Sequence, residues 1–310
     1  MSPHPDPDPG AAGAPQGRAR FVPLPRLGVL AVTGARARAF LQGLLTADME
    51  RLGPGVALPA ALLTPQGKIE FDLVLLEGGA ERVFLTTDAA RADELLRRLT
   101  LYRLRTPVTI EDLSAEVAVH VLLGAGDRLP EAVPAGRDLR HPDLGQRVLL
   151  PREGALAWLR AHGYAPAPAG DYAVLRHRLG IPEGADELPP GRVFALEAGL
   201  DRLGAVSFTK GCYVGQELTA RMKHKTTLRK RLLPVDAEAG TLAPETELRL
   251  GATAVGESLS AEGAPAFALL RLDRLAEAGW APGQPLDSAA GPVQIIWPVD
   301  LALPQPEAPA

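Results

Sequence analysis

Lys210-Gly211-Cys212-Tyr213-Val214-Gly215-Gln216-Glu217 is the stretch on which the reading of this chain turns. It carries the only cysteine of the 310 residues, and four of the five lysines (Lys210, Lys223, Lys225 and Lys230) fall at or shortly after it. From 210 to 231 there are seven Lys and Arg side chains against the single acid Glu217, a local charge of +6 in a chain whose formal charge is −4. Such a run is commonly a solvated edge; its sharper reading is an anion site. A free cysteine often packs as a small hydrophobe. Here Lys210 nearby, a helix expected to begin near Gln216, and glycines that let a ligand approach the backbone all argue for a reactive thiolate. No His–Asn or His–Asp pair can be placed beside Cys212, which disfavours a cysteine hydrolase. One thiol can close no intramolecular disulfide and complete no iron–sulfur site, so any cluster it serves needs ligands from another protein.

Upstream, Leu27–Thr33 has strand character, and Phe40, Leu41, Leu44 and Leu45 then repeat at helical spacing. Thr64-Pro65-Gln66-Gly67 sets a tight turn, after which Ile69, Phe71, Leu73 and Leu75 alternate with polar residues, a β-hairpin pattern. Strand 82–86 runs to Asp88, an N-cap for a helix with Leu95, Leu96 and Leu99 on one face. Strands are also expected at 108–110, 117–123 and 147–150, and helices at 155–162 and 171–179, stopped by Gly163 and Gly180-Ile181-Pro182. Beyond Leu232 come short apolar strands between Gly and Pro, the pattern of a small β-barrel or sandwich. Strands followed by helices, without regular alternation, give an α+β class.

The composition is that of a globular chain, 46% hydrophobic and 23% charged with a mean hydropathy of +0.03. No apolar run reaches the ~18 residues of a membrane span. The acidic, Pro-rich start has neither secretory nor organelle-presequence features. With a single cysteine this directs the expectation to the cytoplasm. Residues 1–20 are expected to be a disordered tail.

The octet has the form K-G-C-[YF]-x-G-Q-E and resembles the signature of the YgfZ family, folate-binding relatives of the glycine-cleavage T-protein that assist iron–sulfur cluster maturation. Phe40-Leu41-Gln42-Gly43-Leu44-Leu45-Thr46-Ala47-Asp48, Leu63–Lys68, Tyr102-Arg103-Leu104-Arg105, Gly180-Ile181-Pro182 and Gly256-Glu257-Ser258 follow in the family's order, so the resemblance covers roughly residues 24–300. It implies a T-protein-like (GcvT-like) folate-binding fold with a C-terminal small β-barrel. The units expected are 21–125 (folate-binding), 126–230 (a second α+β unit carrying the octet) and 231–305 (barrel). It also implies tetrahydrofolate as cofactor. Its site would draw on Tyr172, Glu197, Gly211, Tyr213, Gly215, Gln216, Glu217 and Arg221, with Cys212 the functional thiol, Lys210 activating it, and no resident metal. Leu27 and Tyr172 stand where some members carry tryptophan.

The function implied is accessory: assembly or repair of four-iron four-sulfur clusters in client enzymes, including tRNA-modifying ones, with clients and assembly proteins as partners. An alternative is folate-dependent aminomethyl transfer. T-proteins carry paired carboxylates after the glycine turn, but here the pair is Phe71-Asp72, leaving Asp72 alone as acid or base. A direct RNA site ranks last, because Tyr213 and His224 are the only rings among the basic residues. Neither nucleic acid nor a membrane is expected as a partner.

Overall fold

The protein is represented by a computed structural model describing residues 19–126, 129–225, 228–237, 240–259, 266–298 and 301–304. Almost all of the expected tail thus lies outside the described residues, and its last residue, Arg20, opens the first strand. Ten strands form one sheet: β1 (Arg20–Pro23), β2 (Leu27–Thr33), β3 (Gly55–Leu63), β4 (Ile69–Glu77), β5 (Arg82–Asp88), β6 (Thr109–Asp112), β7 (Val117–Leu123), β8 (Ala135–Asp138), β9 (Gln146–Pro151) and β10 (Ala165–Pro166). Their order is β10-β1-β7-β9-β8-β3-β4-β5-β2-β6. The boundary expected at 125/126 therefore falls inside a continuous sheet, joined by the parallel pairing of β3 with β8.

The β3–β4 hairpin forms where the turn chemistry dictates. Thr64 N–H donates to Lys68 O, Gly67 N–H donates to Thr64 O (both 2.8 Å), and Gly67 takes φ +77°, a conformation that favours glycine. Asp88 caps the following short helical turn by accepting from Ala90 N–H, and α2 (Ala92–Arg103) runs on from there. The first helix, α1 (Ala37–Gln42), is shorter than its apolar spacing predicts. Gly43 ends it, and Leu44 and Leu45 are buried from the turn beyond. Helices α1 and α2 cover one face of the sheet, where Phe40, Leu41, Leu95 and Leu99 meet Leu58, Leu62, Phe71 and Leu75. The opposite face of β2 to β5 packs against β7 and β9 through Val29, Val74, Leu76, Val119 and Leu149. Each such side chain contributes about 1.5–3 kcal/mol by leaving water.

Two helices, α3 (Ala155–Ala161) and α4 (Ala169–Arg178), lie at the β1–β10 end. Residues 179–215 then run almost without regular structure to α5 (Gln216–Lys225). The C-terminal unit is a curled antiparallel sheet in the order β12-β13-β14-β11-β15. Its elements are β11 (Lys230–Ala237), β12 (Glu247–Leu250), β13 (Thr253–Ser258), β14 (Ala266–Arg271), α6 (Leu272–Glu277) and β15 (Val293–Ile295). Residues Leu286 and Asp287 bridge the edge strands through Val293 and Arg249. The chain is thus α+β, with a body built on one ten-stranded sheet and a C-terminal half-barrel. The two units share a core in which Leu63 and Ile69 of the hairpin and Val193, Leu196 and Tyr213 of the irregular stretch pack on Leu232, Phe267 and Leu269.

Candidate functional site

The octet becomes a loop stitched to the Phe40–Asp48 turn. Lys210 is only 8% exposed, and its Nζ donates to Leu45 O and Ala47 O, each at 2.7 Å. The same nitrogen lies 5.2 Å from the Tyr213 ring centroid. Burial lowers its pKa to about 8, with Asp48 acting in the opposite sense. Thr46 doubles the stitch: its hydroxyl donates to Ala205 O (2.6 Å) and accepts from Ala61 N–H (2.8 Å), while its carbonyl accepts from Ser207 N–H (2.9 Å). Gln42 closes the turn by donating to Asp48 (2.9 Å). Gly215, at φ +79°, approaches the hairpin so closely that a Cβ there would stand 2.6 Å from Thr64 O and 3.0 Å from Gly67 Cα. Its freedom is spent on packing the loop against that turn.

Between these anchors Cys212 is exposed. The Lys210 amine, expected to face the thiol, is turned inward to the two carbonyls. Tyr213 is buried, its hydroxyl has no hydrogen-bond partner among the described residues, and burial pushes its pKa up to about 12. Gly211 is open, Gln216 begins α5, and Glu217 pairs with Arg221 (3.1 Å) on its exposed side.

The basic run does not gather into one patch. Arg231 is buried with Nη1 on Leu196 O (2.9 Å), and Lys223 pairs with Asp201 (3.0 Å). Lys210 is the internal clamp already described.

A cavity of about 200 Å³ lies elsewhere, between the β1–β2 turn and α4. Leu24 and Leu27 line it with aliphatic side chains and Tyr172 with an aromatic ring, while Asp88, Asp186 and Glu183 bring carboxylates to it. Behind the Tyr172 ring sits a buried charge network that the sequence reading missed. Arg140 holds Asp138 (2.7 Å) and Glu183 (2.8 Å); Arg147 holds Glu183 (2.6 Å); Arg176 holds Glu187 (2.8 Å), which His177 also meets (2.7 Å). The Tyr172 hydroxyl accepts from Arg140 (3.0 Å) and Arg147 (3.2 Å). Burial alone would raise the Glu183 pKa, but Arg147, Arg140 and Arg176 hold it well below the carboxylate range; Glu187 is likewise brought to about 2, chiefly by Arg176. Strand β9 is buried on both faces, with Arg147 on the face of Leu149, so its pattern does not mark Arg147 as a paired cation; only the acids at 183 and 187, close to Arg176, hint at the pairing.

Of the expected folate residues, Tyr172 lines this cavity, and Glu197 and the octet residues are not among its walls. Glu197 is buried at the seam with the half-barrel, where its carboxylate accepts from Phe194 N–H (3.2 Å) and its carbonyl from Leu232 N–H (2.8 Å); burial raises its pKa. Asp72 points from behind at the cavity floor, accepting from Gly184 N–H (3.0 Å); burial first, then Glu183, raises its pKa. Among the described residues no three His, Cys, Asp or Glu side chains are grouped so as to hold a metal ion, and no helix is long and apolar enough to cross a membrane.

Comparison with known proteins agrees with this architecture. Residues 20–128 match the model of the GCVT N-terminal domain, and residues 229–302 that of the CAF17 C-terminal beta-barrel domain. The mitochondrial iron–sulfur cluster assembly factor IBA57 of Mus musculus is 35% identical over 274 residues, 79% of this chain and 75% of its own. The chain belongs to the family of IBA57 iron–sulfur cluster assembly factors. The Homo sapiens protein of that name is 34% identical over 275 residues, covering 80% of this chain and 76% of its own. In three dimensions the glycine cleavage system aminomethyltransferase T of Bartonella henselae superposes with a TM-score of 0.70 over 90% of this chain and 85% of its own, at 16% identity, a likeness of fold.

These relatives overturn the cytoplasmic expectation. Both IBA57 proteins are mitochondrial, which points to the mitochondrion. The physical reason is that a single free thiol argues only against an oxidising compartment. The mitochondrial interior is reducing as well, so cysteine usage does not separate it from the cytosol.

Proposed function

We propose that this chain assists the assembly of iron–sulfur clusters in other proteins, with the Cys212 thiolate as a transient ligand that a partner's cysteines complete. The observation that carries this reading is an exposed thiol on a loop anchored at both ends, in a chain that matches cluster assembly factors over three quarters of their length. An anchored loop presents its sulfur in a fixed place, as a ligand shared between two proteins requires, and the cluster itself is cargo. In the finer form of the reading, which follows the YgfZ resemblance, the clients are four-iron four-sulfur enzymes, tRNA-modifying ones among them. Tetrahydrofolate occupies the cavity beside Tyr172. The residues suit its bicyclic ring: Tyr172 offers an aromatic face, Leu24 and Leu27 apolar contact, and the Asp88 and Asp186 carboxylates, which also accept from Ala90, Ala185 and Arg26, have lone pairs left for its ring N–H groups. At about 200 Å³ the cavity is smaller than a usual drug-sized site of ~300–1,000 Å³, so the glutamate tail would lie outside it. Bound there, the folate would supply a one-carbon carrier or a redox-active ring.

The test is complementation of cells lacking the protein. The Cys212→Ala variant is expected to fold and bind tetrahydrofolate normally, yet fail to restore four-iron four-sulfur enzyme activity. Full restoration would remove the thiol from the mechanism. Aminomethyl transfer finds less support, since Asp72 is engaged with the Gly184 amide.

A further inference from the structure

At the C-terminal corner of α2 the chain exposes two leucines, Leu101 at 71% and Leu104 at 84%. Leu104 also takes φ 48°, ψ −111°, left-handed backbone space in which a bulky side chain is strained and glycine is at ease. The turn that imposes this is closed by hydrogen bonds from Thr106 N–H to Arg103 O and from Val108 N–H to Thr106 O, both 2.8 Å. Both solvent and backbone therefore argue against leucine at position 104, and the side chain makes sense if something outside the chain covers it. Two exposed arginines flank the corner. Arg105 follows directly. Arg36 is the N-cap residue of α1, two residues after Gly34, on which a Cβ would stand 2.8 Å from Pro107 O. Neither arginine has an ion pair or side-chain hydrogen bond among the described residues, whereas Arg97 and Arg98 on the same helix pair with Asp93 and Glu70.

This corner shares the sheet face of the Cys212 loop. Helices α1 and α2 and Val214 of the octet belong to one apolar cluster. Helix α1, six residues or about 9 Å long, starts just after Arg36, and the chain just past its far end supplies the carbonyls of Leu45 and Ala47 that hold Lys210. One side of a standard interface, about 800 Å² or roughly 30 Å across, spans that distance. We infer that Leu101, Leu104, Arg36 and Arg105 form the docking end of the surface on which the cluster-sharing partner sits, and that the partner meets them with an acidic, partly apolar face. This rests on the proposed role of Cys212 and adds the partner's footprint and charge. Its cations are expected to speed and orient encounter, and its leucines to slow dissociation.

The experiment places photoreactive benzoylphenylalanine at position 104, at position 212 and, as control, at position 156, where exposed Leu156 lies on α3 against a different core, in cells of the native host. The expected result is one acidic, cysteine-bearing protein cross-linked from both 104 and 212 and not from 156. The yield at 104 should fall about tenfold on Arg36→Glu with Arg105→Glu. The variant Leu104→Gly should melt no lower than wild type, because it relieves the backbone, yet lose most of the cluster-enzyme rescue. Cross-linking from 104 to a second copy of this chain, to lipid, or to a protein unrelated to that caught at 212 would overturn the inference, as would full rescue by Leu104→Gly. If Cys212→Ala rescues fully while the arginine-dependent cross-link at 104 persists, the thiol role fails and the docking surface stands. Failed rescue by Cys212→Ala with no cross-link at 104 keeps the thiol role and removes the docking surface.

Discussion

Replacing Arg147 with methionine tests whether the cavity floor is held by buried charge. Arg147 is 1% exposed. Its Nη2 donates to Glu183 (2.6 Å) and to the Tyr172 hydroxyl (3.2 Å), and its Nη1 to the Thr86 hydroxyl (3.0 Å). Methionine keeps most of the apolar stem and removes the charge. Breaking a buried pair by deleting one partner costs about 3–5 kcal/mol, because the other charge stays buried without compensation. Glu183 keeps Arg140 at 2.8 Å and a looser approach to Arg176 at 3.8 Å, which places the expected cost near the lower end, about 3 kcal/mol. The acid side supplies a second readout. The folded-state pKa of Glu183 is depressed, so its stabilisation is present above the unfolded value and is lost as pH falls below about 4.5. Without Arg147 that pKa climbs, and the acid-unfolding midpoint of the variant should move to higher pH. Urea titrations between pH 3 and 7 measure both effects. Adding Glu183→Gln should restore part of the loss, since it removes the charge left unpaired. A cost below about 1 kcal/mol with strictly additive mutations would refute the view that this network braces the cavity.

Three further outcomes follow from the octet loop and the cavity. Lys210 has a folded pKa of about 8 against 10.5 in the unfolded chain, so between those values the unfolded state holds a proton that the folded state lacks and stability rises with pH. The stability of wild type relative to Lys210→Met should therefore grow by up to about 3 kcal/mol from pH 8 to 10.5, and a flat difference in urea titrations would contradict the buried clamp. The Gly215→Ala variant meets both a φ of +79° and the Thr64 carbonyl at 2.6 Å, and should lose at least about 2 kcal/mol in thermal unfolding; a neutral result would show that the loop approaches the hairpin less closely. In calorimetry, Tyr172→Leu should weaken tetrahydrofolate about tenfold through lost ring contact, while Glu197→Gln stays within about twofold because Glu197 lies at the barrel seam; equal losses would move the folate site toward the seam.

How much of this was legible in the sequence depends on the range over which each feature is determined. The β3–β4 hairpin, the Asp88 cap, α2, the Gly180 stop and the C-terminal strands rest on turn residues and periodicity within about a dozen positions, and they stand close to where those patterns put them. Helix α1 ended early because Gly43 stops it, while Leu44 and Leu45 found burial outside the helix. The ten-stranded sheet could not be read as one body, since the pairing of β3 with β8 joins residues 55–57 to 136–138 and no local pattern encodes a parallel contact at that separation. The octet was conspicuous, yet proximity in sequence misassigned the roles within it. Lys210, two residues from Cys212, turns away to carbonyls contributed by residues 45 and 47, and Gly215 serves the hairpin turn. The basic run failed as a patch for the same reason, because Lys210, Lys223 and Arg231 answer to partners brought by the fold.

The thiol stands on the face covered by α1 and α2, whereas the cavity lies by the β1–β2 turn and α4, with walls that none of the octet residues enter. A folate in that cavity would therefore act on the thiol indirectly, through the irregular stretch between α4 and the octet. That stretch is pinned at one end by Arg176 on Glu187 and at the other by Lys210 on Leu45 and Ala47. A chain fixed at both ends by buried charge transmits a ligand only if the ligand changes one of those pins. Glu183 and Glu187 both line the cavity and both hold Arg176, so the cavity end is where folate could bias the loop that presents Cys212.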